Sequence, residues 1–133
     1  MEQELLAGTV VKRLCERAIV EFLDWVIMSE MKKRPLSGYD VILHVDKKFN
    51  YLVSSGTVYS TLYSMERKGL IELLQEGKKR TYKLSEKGLR MTYVIEGYIE
   101  GSPNLAQFIL NVLNVNHDAT PFKELKNMKP NKM

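Results

Sequence analysis

Cysteine is almost absent from this 133-residue chain: Cys15 stands alone, so no internal disulfide can form. With only two histidines, His44 and His117, there is no Cys/His cluster of zinc-binding spacing. The four prolines and eight glycines follow no period, which excludes collagen-like and low-complexity architectures. Long hydrophobic runs are missing too. The best stretch, Ala18 to Met28, is broken by Glu21 and Asp24 and is too short and too charged to span a membrane. The opening Met1-Glu2-Gln3-Glu4 is acidic, unlike a secretory or transit signal. No nucleophile–base pairing, phosphate loop or metal set is visible, so no enzyme activity, cofactor or metal is expected. What remains is 44% hydrophobic and 27% charged, enough to bury a core within one unit of 15.4 kDa. The expectation is a soluble, cytoplasmic domain that does not engage a membrane.

The net charge of +4 is modest, but it is not evenly spread. Residues 65–90 hold Arg67, Lys68, Lys78, Lys79, Arg80, Lys83, Lys87 and Arg90 against Glu66, Glu72, Glu76 and Glu86. The segments on either side are balanced, so the whole excess lies in this window. Such a patch suits a polyanion. It also suits a merely solubilising face, and charge alone leaves both readings open.

Periodicity predicts a helix over Thr9 to Met31, with residues 1–8 extending it or forming an arm. Val10, Val11, Leu14, Ala18, Phe22, Trp25 and Val26 make one apolar stripe; Ile19, Leu23 and Ile27 make a second. A small domain rarely buries a helix on two sides, so one side is expected to meet a partner chain. Ser37 and Asp40 suggest a capping box opening a helix to Phe49. Ser54 or Ser55 caps a third helix reaching Lys68, with Val58, Leu62 and Met65 as its narrow buried stripe. Alternation in Ile71-Glu72-Leu73 and Arg80–Leu84 around Glu76-Gly77 predicts a hairpin. Ser85 opens a helix to about Glu100, Ser102-Pro103 opens another carrying Leu105 to Leu113, and Thr120-Pro121 starts a last short one. The order helix, helix, helix, hairpin, helix is that of a winged helix-turn-helix: mainly α, a three-helix core with a β-hairpin wing.

Shape then predicts the site. A helix entering the major groove needs small or hydrogen-bonding residues on its outward side. Opposite Val58, Leu62 and Met65 lie Gly56, Ser60, Tyr63, Ser64 and Arg67, with Thr57 at the entry turn and Tyr59 at the edge, half core and half outward. Backbone amides at Ser55 to Thr57 would suit a phosphate. Lys78, Lys79 and Arg80 crowd the wing tip, placed for flanking phosphates or the minor groove. Tyr39 either contacts a phosphate or simply packs its ring. Arg67 either reaches DNA or balances its own helix dipole. Cys15 reads as a small packed hydrophobe or a redox sensor, and Trp25 as core or as the wall of a ligand pocket.

Four motifs in order resemble the PadR family of transcriptional regulators. Leu36-Ser37-Gly38-Tyr39-Asp40-Val41 resembles the family's "sGYeI" opening, and Ser54 to Leu62 its "sPGtlYplL" recognition helix. Met65 to Ile71 resembles "LeedGlI", and Tyr82 to Gly88 resembles "YrLTekG". Ser55 and Ser60 stand where the family often has proline, which leaves the helix start less rigid and its outward side more polar. The resemblance implies a winged-helix repressor of double-stranded DNA, acting as a homodimer built by N- and C-terminal helices. On that basis residues 1–88 would form the DNA-binding domain. Residues 89–133 would form a helical dimerisation region and tail. The alternative is a winged helix that binds other proteins without reading DNA. A small-molecule inducer fits a regulator, but no residue names one.

Overall fold

The computed structural model describes residues 1–104 except 76 and 78, together with residues 107 and 108. The expected helices over Leu105–Leu113 and after Thr120 therefore lie outside the described residues, apart from Gln107 and Phe108. The elements are α1 (Glu2–Glu21), α2 (Leu23–Met31), β1 (Leu36–Ser37), α3 (Gly38–Phe49), α4 (Ser55–Arg67), β2 (Ile71–Gln75), β3 (Thr81–Leu84) and α5 (Glu86–Glu100). Among the described residues no helix is long and apolar enough to cross a membrane.

Local chemistry sets most boundaries. The Ser37 hydroxyl oxygen accepts the Asp40 amide at 3.1 Å, while an Asp40 carboxylate oxygen accepts the Ser37 amide at 2.9 Å. This reciprocal pair satisfies two amides that a helix start otherwise leaves unbonded. Asn50, left-handed at φ 53°, closes α3. Ser54 rather than Ser55 caps α4, its hydroxyl oxygen accepting the Thr57 amide at 3.2 Å. Ser85 caps α5 by accepting the Gly88 amide at 2.9 Å and donates its own proton to the Gly69 carbonyl.

The stretch expected as one helix over Thr9–Met31 is two. Residues 1–8 continue α1 as helix rather than forming an arm, and the ladder breaks at Phe22 (φ −100°, ψ 19°). No proline or glycine causes the break. The Trp25 amide, in the first turn of α2, donates to the Asp24 carboxylate at 2.8 Å. Of the two apolar rows, Ile19, Leu23 and Ile27 of the second enter the core; the first is split, with Val26 buried and Phe22 against the core while Val10 and Leu14 stay exposed. Trp25 packs against the core from its edge.

The core joins α2, α3, α4 and the sheet: Leu23, Ile27, Leu36, Val41, Val45, Val58, Leu62, Met65, Ile71 and Tyr82 are all buried. The hairpin β2–β3 pairs antiparallel, with Leu73 opposite Tyr82 and Glu72 opposite Lys83. The register shifts between Leu73 and Gln75, and Leu74 faces outward as strand alternation requires. A third strand, absent from the sequence reading, lies on the far side: Leu36 and Ser37 of β1 pair with Tyr82 and Thr81. This strand ties the start of α3 to the base of the wing. The seam is sealed at Gly88, where an added Cβ would collide with the Leu70 carbonyl oxygen and lie 3.0 Å from its carbon.

Candidate nucleic-acid interface

α4 divides as its periodicity requires. Val58, Leu62 and Met65 are sealed in the core. On the opposite side Ser55, Gly56, Ser60 and Arg67 are exposed, as are Tyr59 (37%) and Tyr63 (43%), while Thr57 and Ser64 are half-buried. The two tyrosine rings sit 6.2 Å apart, tilted by 32°.

Three elements meet on this side. Gly38, the first residue of α3, leaves room for the Tyr59 ring: a Cβ there would lie 2.6 Å from Cζ of that ring. One residue on, Tyr39 projects with 60% of its surface exposed. Next, Asp40 receives the wing: the Lys79 ammonium donates to its carboxylate at 3.0 Å. Start of α3, outward side of α4 and wing tip thus form one joined surface. Arg80 lies 5.9 Å over the Tyr82 ring, within electrostatic range of Tyr63 and Glu66. Ser64 and Arg67 occupy the far end of α4, Arg67 about 18 Å along the axis from Ser55.

Two details of the expected site change. The Thr57 amide is taken by the Ser54 cap, so of the amides at Ser55 to Thr57 it does not face outward unbonded. Lys79 is not a free cation but half of an ion pair. Lys78, expected beside it, lies outside the described residues. Asp40 is the residue the sequence reading undervalued, naming it only as a cap. Burial by itself would raise its pKa, but the Ser37 amide and Lys79 outweigh that and hold it below its ordinary 3.8. Its capping role was legible from spacing to Ser37; its partner 39 residues away was not. Among the described residues no group of three His, Cys, Asp or Glu side chains could hold a metal.

Residues 27–92, from within α2 to the middle of α5, match the transcriptional regulator PadR-like family. The chain belongs to that family. The matched PadR-like segment contains the second half of α2, all of α3 and α4, and the wing. The fold is similar to that of a transcriptional regulator from Clostridium thermocellum, at 22% identity and TM-score 0.56 over 67% of this chain and 90% of that one. It is also similar to a PadR-like transcriptional regulator from Bacillus cereus strain ATCC 14579, at 22% identity and TM-score 0.58 over 71% of this chain and 96% of that one. A match to Bacillus subtilis PadR in complex with operator DNA has 23% identity and TM-score 0.47, over 53% of this chain and 44% of that one. Among curated proteins none matches the chain significantly. The PadR-like assignment makes the protein a winged-helix transcriptional regulator.

Proposed function

We propose that this regulator reads double-stranded DNA as a homodimeric repressor, with α4 in the major groove and the wing on the adjoining backbone. The observation that carries the reading is the joined surface: Tyr59 seated over Gly38 and Lys79 on Asp40 align helix and wing on one exposed side. A groove about 12 Å wide admits one helix, and hydroxyl-bearing side chains such as Ser60 and Tyr63 can bond base edges. Tyr39, Ser55, Gly56 and Thr57 would meet phosphates at the near end, with Ser64 and Arg67 at the far end. Lys78, Lys79 and Arg80 would flank them.

The second copy is argued from unburied apolar surface. Leu5, Leu6, Val10 and Leu14 of α1 and Leu89, Val94 and Tyr98 of α5 are exposed, more than a monomer usually leaves on its helices. Residues 1–88 would then carry the DNA-reading unit and 89–133 much of the dimer contact. Two-fold symmetry demands a palindromic site, with half-sites about 10–10.5 bp or a multiple apart. Selection of bound sequences from a random duplex pool tests this. A symmetric consensus is expected. Absence of any salt-sensitive binding would favour a winged helix that docks on proteins instead.

A further inference from the structure

A second concentration of positive charge lies away from α4 and the wing. The turn after α2 carries Lys33 and Arg34, and the outer side of α3 carries Lys47 and Lys48. Together with Glu30 and His44 they border an open groove of about 700 Å³. No residue of α4 or the hairpin lines it. Four cations and one carboxylate line it, so the groove holds an excess of three positive charges with His44 neutral.

The floor of the groove is built rather than loosely solvated. The Glu30 side chain is only 13% exposed and accepts from the Arg34 guanidinium at 3.0 Å. His44 Nδ1 stands 3.8 Å from the same carboxylate and is 16% exposed. Lys33 approaches it at 3.7 Å from the rim. Leu43 adds a half-exposed apolar wall. The groove's volume falls in the range of small-ligand sites, and its lining is charged, with Leu43 the one apolar side chain. A single phosphate brings about −1.5 to −2 charges, too few to balance this excess.

We propose that this groove binds a small phosphorylated ligand carrying two or more phosphate groups, at a site separate from the DNA-reading surface. Arg34 and Lys33 hold one end and Lys47 and Lys48 the other, with charge-assisted hydrogen bonds. Binding is linked to a proton. His44 is held below its ordinary 6.5 first by burial and then by Lys48, Arg34 and Lys33, against the opposing pull of Glu30. An anion that neutralises those cations removes their repulsion, so His44 takes up a proton as the ligand binds. Affinity must then fall as pH rises through the histidine range.

The test is calorimetric titration of the whole chain with trimetaphosphate, a trianion whose own charge does not change where histidine titrates. The wild-type protein is expected to bind it, more weakly at higher pH. The double variant Lys47→Gln, Lys48→Gln should lose roughly tenfold or more in affinity with its melting temperature unchanged. His44→Gln should keep binding but lose the pH dependence. Lys79→Ala, on the other surface, should bind as the wild type does. No binding, equal binding by the double variant, or loss of binding in Lys79→Ala would overturn the proposal. So would a loss of duplex DNA affinity in the double variant as large as that caused by Lys79→Ala, since the groove would then belong to the DNA footprint.

Discussion

Tyr63 and Lys79 illustrate two kinds of contact that one surface offers. Tyr63 is held on a helix with 43% of its surface exposed, where in the proposed complex it would meet base edges. Lys79 is a half-exposed cation beside Asp40, and in the proposed complex it would sense only backbone charge. Tyr63→Ala should therefore lower operator affinity by roughly tenfold while barely changing affinity for unrelated duplex. Lys79→Ala should weaken both alike and reduce the salt slope by about one. Gel-shift titrations at several salt concentrations separate the two. Asp40 links stability to pH. Its folded pKa lies below the ordinary 3.8, so its contribution is complete above that value and is lost as pH falls through the folded value. Wild-type stability should thus decline more steeply than that of Asp40→Asn on acidification below about pH 4. Urea unfolding across that range measures the difference, and parallel curves would deny Asp40 this role.

At the scale of elements, two glycines hold different seams. Gly88 brings the first turn of α5 against the backbone at Leu70, and backbone cannot step aside. Gly38 faces the Tyr59 ring, which can swing away. Gly88→Ala should cost about 2–4 kcal/mol and be read as a large drop in thermal midpoint. Gly38→Ala should cost far less, yet shift Tyr59 on the outward surface and weaken operator binding. If both variants melted alike, the distinction between a backbone and a side-chain neighbour would be wrong. The same logic explains why β1 escaped the sequence reading. Two residues carry no alternation to detect, and Leu36 and Ser37 are a strand only because β3 lies beside them.

For the whole molecule, packing turns on the apolar surface of α1 and α5. α5 is anchored at its start by Gly88 against Leu70 and further along by Lys32, whose ammonium sits on Glu96 and 4.9 Å over the Tyr93 ring. Its Leu89, Val94 and Tyr98 remain outside. If a second copy covers this surface, Val10→Asp with Leu14→Asp should shift the protein to a monomer by light scattering. Operator affinity should fall at least tenfold, because one half-site binds far more weakly than two. A dimer unchanged by both charges would place the interface elsewhere.

The sequence by itself determined the helix starts at Ser37 and Ser85, narrowed that of α4 to Ser54 or Ser55, and determined the buried stripe Val58–Leu62–Met65 and the wing. Each depends on neighbours a few residues away, and such short-range chemistry is written in spacing. Tertiary structure alone decided that the N-terminal end of the first apolar row stays outside while its Val26 joins the second row in the core, that Lys79 lies on Asp40, and that Lys33, Arg34, Lys47 and Lys48 share one groove. In the linear count those four cations vanish into a balanced segment, because charges cancel in a tally but act by distance in space. Only folding brings α2 and α3 together and leaves the offsetting acids elsewhere.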